Sequence, residues 1–566
     1  MKLRFKHQKF QANAAKAVVD VFQGQPKNEG ISYLIDKGVG QSDQGELGED
    51  FTGFKNAKVL LDEDAVLNNL QQVQRANLIK PSENLEGHYN LTIEMETGVG
   101  KTYTYIKTMY ELNQKYGWSK FIVIVPSIAI REGVYKSFQI TEDHFAEEYG
   151  KKIRYFVYNS AHLNELDQFA GSNSIYVMII NSQAFNAKGK DARRISMKLD
   201  EFRSRRPIDI IANTNPILII DEPQSVEGEA TREGLKKFNP LMTLRYSATH
   251  KKDRIFNMVY RLDAMEAYNK KLVKKIAVKG ISVSGSSGTD GYLYLANLNL
   301  SNDKAPTATL EFNTKGANGI RKTTRIVNEG YNLYEQSGNL NEYLGYTVSR
   351  IDGRDNTVEF RNGVKIEVGQ VRGNTQDSDQ IRRIQIRETI ESHLERERQL
   401  FYKGIKVLSL FFIDEVAKYK EYEGNTAKNG IYARMFEDEY QNIIDHYVGE
   451  LGDGEYLRYL KGIEAHQTHA GYFSIDKKSN HFIDGKIDKK EQSSNDIDAY
   501  DLIMKNKERL LDRKEPVRFI FSHSALKEGW DNPNVFQICT LKQSGAEVRK
   551  RQEVGRGLRL AVNQDG

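Results

Sequence analysis

Cysteine is almost missing from this chain: Cys539 is the single one among 566 residues. That excludes an internal disulfide framework and any zinc or iron–sulfur site built from several thiolates. Long apolar runs are missing too. No stretch approaches the ~20 apolar residues needed to span a bilayer. The opening MKLRFKHQKFQANAAKAVVDVF scatters basic residues and lacks the apolar block of a signal peptide, so a cytoplasmic protein with no membrane partner is expected. A strong charge of one sign is also lacking. The formal net charge of +5 is small for this length, which excludes a uniformly basic coat and leaves room for a local basic track. No internal repeat of solenoid period occurs.

What is there describes a folded chain of several cores. Its 39% hydrophobic and 28% charged residues fit globular domains, and its length exceeds what one core ordinarily organises. Phe10 to Phe22 has helical spacing of its apolar residues. From about Leu91, short apolar runs (FIVIVP at 121, IYVMII at 175, PILII at 216) alternate with helical or loop stretches, as buried parallel strands in βαβ units do. Between about 280 and 379 the texture changes to alternating polar and apolar residues with Gly-Thr-Asp-Gly and Arg-Asn-Gly turns, which predicts antiparallel hairpins. A charged amphipathic helix at 381 then leads into IKVLSLFFID, and α/β grammar returns at VRFIFSHSALKEGWDNPNVFQICTL. The stretch 421–500 reads as helical pieces with a loop near DKKSNHFIDGKIDKKEQSSND. The expected fold class is α/β, with domains at 1–279 and 380–566 around a β-rich insertion at 280–379.

TIEMETGVGKT joins an apolar strand to a helix through Thr97, Gly98, Val99, Gly100, Lys101 and Thr102. Glycines let backbone N–H groups approach phosphate oxygens, and a helix N-terminus adds partial positive charge. Lys101 would sit against the β- and γ-phosphates, and the Thr102 hydroxyl would ligate Mg²⁺. Met95 stands where the usual P-loop pattern has glycine. Downstream, PILIIDEPQ ends an apolar strand in two carboxylates: Asp221 to hold the metal and Glu222 to polarise the attacking water. Alone, such a pair is a solvated turn; with the Lys101 loop in the same α/β domain it completes an ATP–Mg²⁺ site.

Near the other end, RKRQEVGRGLRL places Gln552, Gly555, Arg556 and Arg559 in Q-x-x-G-R-x-x-R spacing. Arginines three apart share a helix face and could stabilise charge on a transferring phosphoryl group. In isolation the segment is an ordinary basic helix. It is not isolated: YSATH follows the acidic pair, and SHSALKEGWDNP precedes the arginines. With FIVIVPSIAIREG, these are identified as the ordered motifs of superfamily 2 helicases and translocases. The resemblance implies two RecA-like parallel-sheet domains that share one ATP, the first bringing Lys101, Thr102, Asp221 and Glu222, the second Arg556 and Arg559. FQANA resembles the adenine-recognition motif, with Gln11 reading the base edge and Phe10 packing near it; a capped or solvated Gln11 carries comparable weight. By the same resemblance Ser247 and Thr249, with Gln224 and His250 nearby, would couple hydrolysis to movement. Gly529 and Asp531 would contact nucleotide. Ser127, Arg131, Ser182 and Gln183 occupy places where such motors touch the sugar-phosphate backbone, though each equally suits a helix cap or loop hydrogen bond.

METGVGKT, VPSIAIREGV, IIDEPQSVEG, YRLDAMEAYNKKLVKKI, GIKVLSLFFIDEVAKY and SALKEGWDNPNVFQICTL resemble, more narrowly, the restriction (Res) subunit of Type III restriction–modification enzymes. That family implies an ATP-dependent motor on duplex DNA and a DNA-methyltransferase (Mod) partner that recognises the site. It also implies a C-terminal nuclease with Pro-Asp followed by Glu-x-Lys, and neither pattern occurs here, so a motor portion without the cutting domain is expected. Two other functions stay open: a strand-separating helicase for repair or RNA metabolism, and an ATP-gated scaffold holding a methylating partner on DNA. Arg321, Lys322, Arg325 and Arg350, among aromatics such as Tyr331 and Tyr346, could make a DNA-facing surface, but a solvated sheet face is the stronger expectation. His466 and His469, with Glu464 nearby, are expected on an ordinary surface helix.

Overall fold

The computed structural model describes residues 5–28, 30–35, 52–87, 89–186, 194–226, 228–250, 254–284, 291–301, 303–316, 319–373, 378–423, 426–450, 454–475, 482–483, 509–523, 532–542 and 553–561. They fall into two compact units. One comprises 1–275, 395–426 and 466–566, the other 276–394 and 427–465.

The first unit contains a seven-stranded sheet. Its strands are β1 (Asn90–Met95), β2 (Lys120–Val125), β3 (Arg154–Val157), β4 (Tyr176–Asn181), β5 (Ile217–Asp221), β6 (Met242–Ser247) and β7 (Met258–Leu262). Their order is β3-β4-β2-β5-β6-β1-β7, with every neighbouring pair parallel. Side chains alternate between the faces of a strand, so a strand covered on both faces must be apolar throughout. That is why β2 reads as an unbroken run: Phe121, Val123 and Val125 enter the core on one face and Ile122 and Ile124 the core on the other. The first core is closed by α1 (Lys9–Asp20) and α2 (Lys101–Tyr116), which contribute Ala14, Val18, Tyr105 and Met109. Helix α3 (Ile128–Tyr149) follows β2 and is capped by Ser127, whose Oγ accepts from the Ile130 N–H.

A second sheet in this unit is built from β8 (Leu408–Phe412), β9 (His469–Tyr472), β10 (Phe519–Ser522) and β11 (Val535–Thr540), ordered β9-β10-β8-β11 and again parallel. Leu408, Leu410, Phe412, Ile520 and Val535 form its core. Arg518 and Glu397 are fully buried beside it and ion-paired at 2.6 Å. The fold class is therefore mixed α/β, with two RecA-like parallel sheets.

The other unit is rich in antiparallel strands, among them Leu293–Asn299, Thr307–Gly316 and Gly319–Val327, then Val348–Asp352, Thr357–Phe360 and Lys365–Glu367. Leu310, Phe312, Tyr343 and Val358 are buried in its core. Helices Ile431–Glu450 and Glu455–Lys461 cluster with these strands. Arg321, Lys322, Arg325 and Arg350 are exposed, whereas Tyr346 is buried and Tyr331 half-buried, so the two aromatics belong to the core side rather than to the charged face. One expectation fails outright. His466 lies in a short 3-10 turn and His469 opens the buried strand β9, where its Nδ1 pairs with the Tyr419 hydroxyl at 2.9 Å. The sheet claims His469 because its neighbours Ala470 to Tyr472 continue the β10 ladder, so the pair never shares a helix.

No helix among the described residues is long and apolar enough to cross a membrane.

Candidate nucleotide site

Ligands of open α/β sheets gather at the carboxyl ends of the strands. Here the expected residues occupy neighbouring ends in a row. Ser182 and Gln183 follow β4, Ser127 and Arg131 follow β2, Asp221 and Glu222 end β5, Ser247 and Thr249 end β6, and the glycine loop follows β1. Strand β6 lies between the carboxylate strand and the loop strand, which puts Ser247 where it can touch both.

The loop is shaped for close approach. Gly98 and Gly100 have φ of +85° and +90°, in the left-handed region that side chains disfavour. Lys101 opens α2, so the backbone N–H groups of the loop and first helical turn face the space in front of the sheet. Lys101 Nζ lies 3.1 Å from Glu222 Oε1. Gln224 Nε2 donates to Glu222 Oε2 at 2.7 Å and to Thr249 Oγ1 at 3.2 Å. The Ser247 hydroxyl is 2.8 Å from Glu222 Oε2 and 2.9 Å from Gln224 Oε1, while its oxygen accepts from the Thr249 N–H at 3.0 Å. Gln224 and Ser247 thus converge on one carboxylate, and Thr249 bonds both of them. Burial works against the Glu222 charge, but Lys101, Gln224 and Ser247 outweigh it and hold the acid below its usual range. Glu222 adopts φ +53°, left-handed and uncommon for a residue that carries a Cβ, and its N–H donates to Tyr246 O. Strain of this kind is tolerated where surrounding bonds over-determine the backbone.

Asp221 has the opposite character. Burial first, then the Glu222 charge, push it up to about 7 against the pull of Lys101. A buried carboxylate that burial drives toward neutrality is a ready ligand for a divalent cation, which would keep it ionised. Thr102 lies in the first turn of α2. A carboxylate and a hydroxyl are donors that would suit a Mg²⁺ ion, and a glycine loop ahead of a helix N-terminus would suit a triphosphate.

Gln11 lies on α1, buried, and donates from Nε2 to Val99 O in the glycine loop at 2.9 Å. Its neighbour Phe10 is partly buried against the first core. The arginine segment also reaches this loop. A Cβ on Gly98 would stand 3.1 Å from Arg559 Cγ, and one on Gly555 would stand 2.8 Å from Thr97 Cγ2. Arg556 is buried nearby, with 6% of its surface exposed. Gln552, Gly529 and Asp531 lie outside the described residues. Ser127 is occupied as a helix cap, Arg131 pairs with Glu132 at 2.7 Å, and Ser182 is buried with its N–H on Val125 O.

Sequence reasoning missed Tyr105, whose hydroxyl donates to Asp221 Oδ2 at 3.3 Å. The signal was present: Tyr105 follows Thr102 by three on one helix and so faces the same side. It also missed His250, which is named only as a neighbour; its ring nitrogen lies 3.3 Å from Ile93 O and burial pushes the imidazole down to about 4.

A parallel sheet whose strand ends carry a lysine after a glycine loop, an adjacent carboxylate pair and a serine between them, with an arginine segment resting on the loop, has the geometry of a candidate nucleotide site. Residues 61–252 match the family model described as Type III restriction enzyme, res subunit. The chain is similar to the Type III restriction-modification enzyme EcoP15I Res subunit of Escherichia coli, 32% identical over 534 residues, covering 90% of this chain and 52% of that one. It is likewise similar to the EcoPI Res subunit of Escherichia phage P1, 31% identical over 536 residues with the same coverage. The chain spans about half the length of these curated relatives. Among solved structures it is similar to an ATP-dependent Type ISP restriction-modification enzyme, LlaBIII, bound to DNA, at 11% identity and a TM-score of 0.39, covering 90% of this chain and 27% of that one. At that score the superposition is loose.

Proposed function

We propose that this chain is the ATPase motor of a Type III Res subunit, hydrolysing ATP in response to duplex DNA and acting beside a DNA-methylating partner. The convergence of Lys101, Gln224 and Ser247 on Glu222 supports this reading most directly. Lys101 neutralises Glu222. When Lys101 turns to the β- and γ-phosphates, Glu222 loses its cation and keeps two neutral donors, which aim its carboxylate without consuming its charge. It can then orient a water and accept its proton. Thr102 and Asp221 would hold Mg²⁺, which supplies charge neutralisation at the phosphates. Arg556 and Arg559 would steady the charge that develops on the transferring group.

The arrangement also suggests how DNA is felt. Ser127 follows β2, the strand next to β5, so a backbone contact there would press on the carboxylate strand directly. The test is ATP hydrolysis with and without duplex DNA, for the wild type, Lys101→Ala and Glu222→Gln. DNA should stimulate the wild type, and each substitution should lower kcat by about 10²-fold or more. Unstimulated hydrolysis that survives Lys101→Ala overturns the motor. Displacement of a labelled strand would favour a strand-separating helicase instead.

A further inference from the structure

The connection leaving β7 makes bonds that no local geometry requires. Helix Ala264–Asn269, capped by Asp263, ends at Lys270, and the chain then turns through Lys271 at φ +57°. Lys274 follows. Its backbone N–H donates to Leu558 O at 2.9 Å. Its Nζ donates to Pro533 O and Val535 O, each at 2.6 Å, and lies 4.1 Å from the centre of the Phe536 ring. Burial pushes the ammonium down to about 7. An amine with two N–H bonds left still serves both carbonyls, so the contact survives loss of the charge.

The three carbonyls occupy telling places. Pro533 and Val535 bracket the entry to β11, the edge strand of the second sheet. Leu558 lies between Arg556 and Arg559. The opposite side of the same short segment rests on the glycine loop, Arg559 over Gly98 and Gly555 over Thr97. Lys274 therefore holds the arginine segment from behind while the loop meets it in front.

We propose that Lys274 is a positioning residue of the ATPase: its ammonium, anchored on Pro533 O and Val535 O, holds its own backbone N–H on Leu558 O and so fixes the register of the Arg556–Arg559 segment against the Lys101 loop. This rests on the motor reading given above. Its effect passes through the arginines, so it should bear on turnover and not on nucleotide affinity. A side chain that merely stabilises the fold would show no such selectivity. Misplacing a catalytic group by about 1 Å costs on the order of 10²-fold.

The experiment is a double-mutant cycle on the full chain with duplex DNA: wild type, Lys274→Met, Arg559→Ala and the pair, reading kcat, KM for ATP, fluorescent ADP affinity and melting temperature. Lys274→Met should lower kcat by about 10²-fold, leave ADP affinity and KM little changed, and add nothing further in the Arg559→Ala background. Lys274→Gln, which keeps one donor pair, should recover part of the loss; it also carries the cycle if the methionine variant does not fold. Equal losses in both backgrounds, unchanged kcat, or an ADP affinity that falls in step with kcat each overturn the assignment. A wild type that does not hydrolyse ATP sinks the motor reading itself, whereas normal hydrolysis with an additive cycle sinks only the role of Lys274.

Discussion

Glu222 is held by three side chains from three places in the sequence, and its backbone is left-handed. Such a residue has its conformation fixed from several sides. Gly98 is a second case. Its φ of +85° strains any residue with a side chain, and a Cβ there would crowd Arg559 Cγ at 3.1 Å and Arg559 N at 3.3 Å. Gly98→Ala should weaken binding of a non-hydrolysable ATP analogue by about 10-fold, the equivalent of ~1.4 kcal/mol, measured by titration calorimetry. Lys120 is a third. It is fully buried at the start of β2, donates to Phe169 O at 2.5 Å and also to Ser172 O, and burial pushes it down to about 7. These carbonyls belong to the last turn and end of helix Asn164–Gly171, where a donor is favoured. In the unfolded chain its pKa returns to about 10.4. Between the two values the unfolded state binds more protons, so stability contributed at this position rises as pH goes from about 7 to about 10. Lys120→Met removes that rise along with two hydrogen bonds. The stability gap between wild type and variant, from urea titrations, should widen over this interval; a constant gap contradicts the assignment.

At the scale of elements, strand order explains more than any single motif. Because β6 lies between β5 and β1, Ser247 faces Glu222 on one neighbour and follows the loop strand on the other. Ser247→Ala deletes a donor to a charged acceptor and the acceptor for Thr249 N–H. A hydrogen bond to a charge contributes ~1.5–3 kcal/mol, so kcat should fall by about 10- to 100-fold while nucleotide affinity holds. The variant should also respond less to duplex DNA, because the serine ties the carboxylate strand to its neighbour. Equal stimulation by DNA in variant and wild type, measured in the same assay, removes Ser247 from the coupling. The second sheet shows a different use of polarity. Arg518 and Glu397 are buried at 0% and 3% side-chain exposure. Removing one partner takes this ion pair away from a buried charge, which is costly.

At the scale of the whole molecule, two compact units divide the chain, and the second is stitched internally by charge. Arg387 contacts Glu311 and lies 3.8 Å from Glu439, Arg383 bonds Glu439 at 2.5 Å, and Tyr292 donates to Glu311 at 2.5 Å. Chains with several units seldom unfold in one step. Calorimetry should show more than one transition. Arg387→Met, which leaves Glu311 buried without its cation, should lower one transition and leave the other in place. A single transition that shifts as a whole argues that the units unfold together.

Much of this was legible without coordinates. The βαβ grammar, the antiparallel texture near 280–379 and the order of loop, carboxylates, Ser-Ala-Thr and arginines are local patterns. Covered parallel strands are apolar throughout, hairpins alternate, and phosphate loops need glycine, so composition alone reports them. Phe10, Gln11 and the expected backbone contacts Ser127 and Ser182 were legible as positions only; the structure gives Ser127 to a helix cap. His466 and His469 were misread because a two-histidine spacing says nothing about which strand a sheet will recruit. The helix face of Tyr105 was legible but its contact was not, and Lys274 was invisible, for a related reason. Their partners are 116 and more than 250 positions away, and a sequence lists neighbours along the chain only. By itself the sequence determined what each local segment is, because backbone preference and burial periodicity act over a few residues. Only the tertiary structure decided which segments meet, with Lys274 behind the arginines and Ser247 between the two walls of the site, because strand order and side-chain reach are properties of packing.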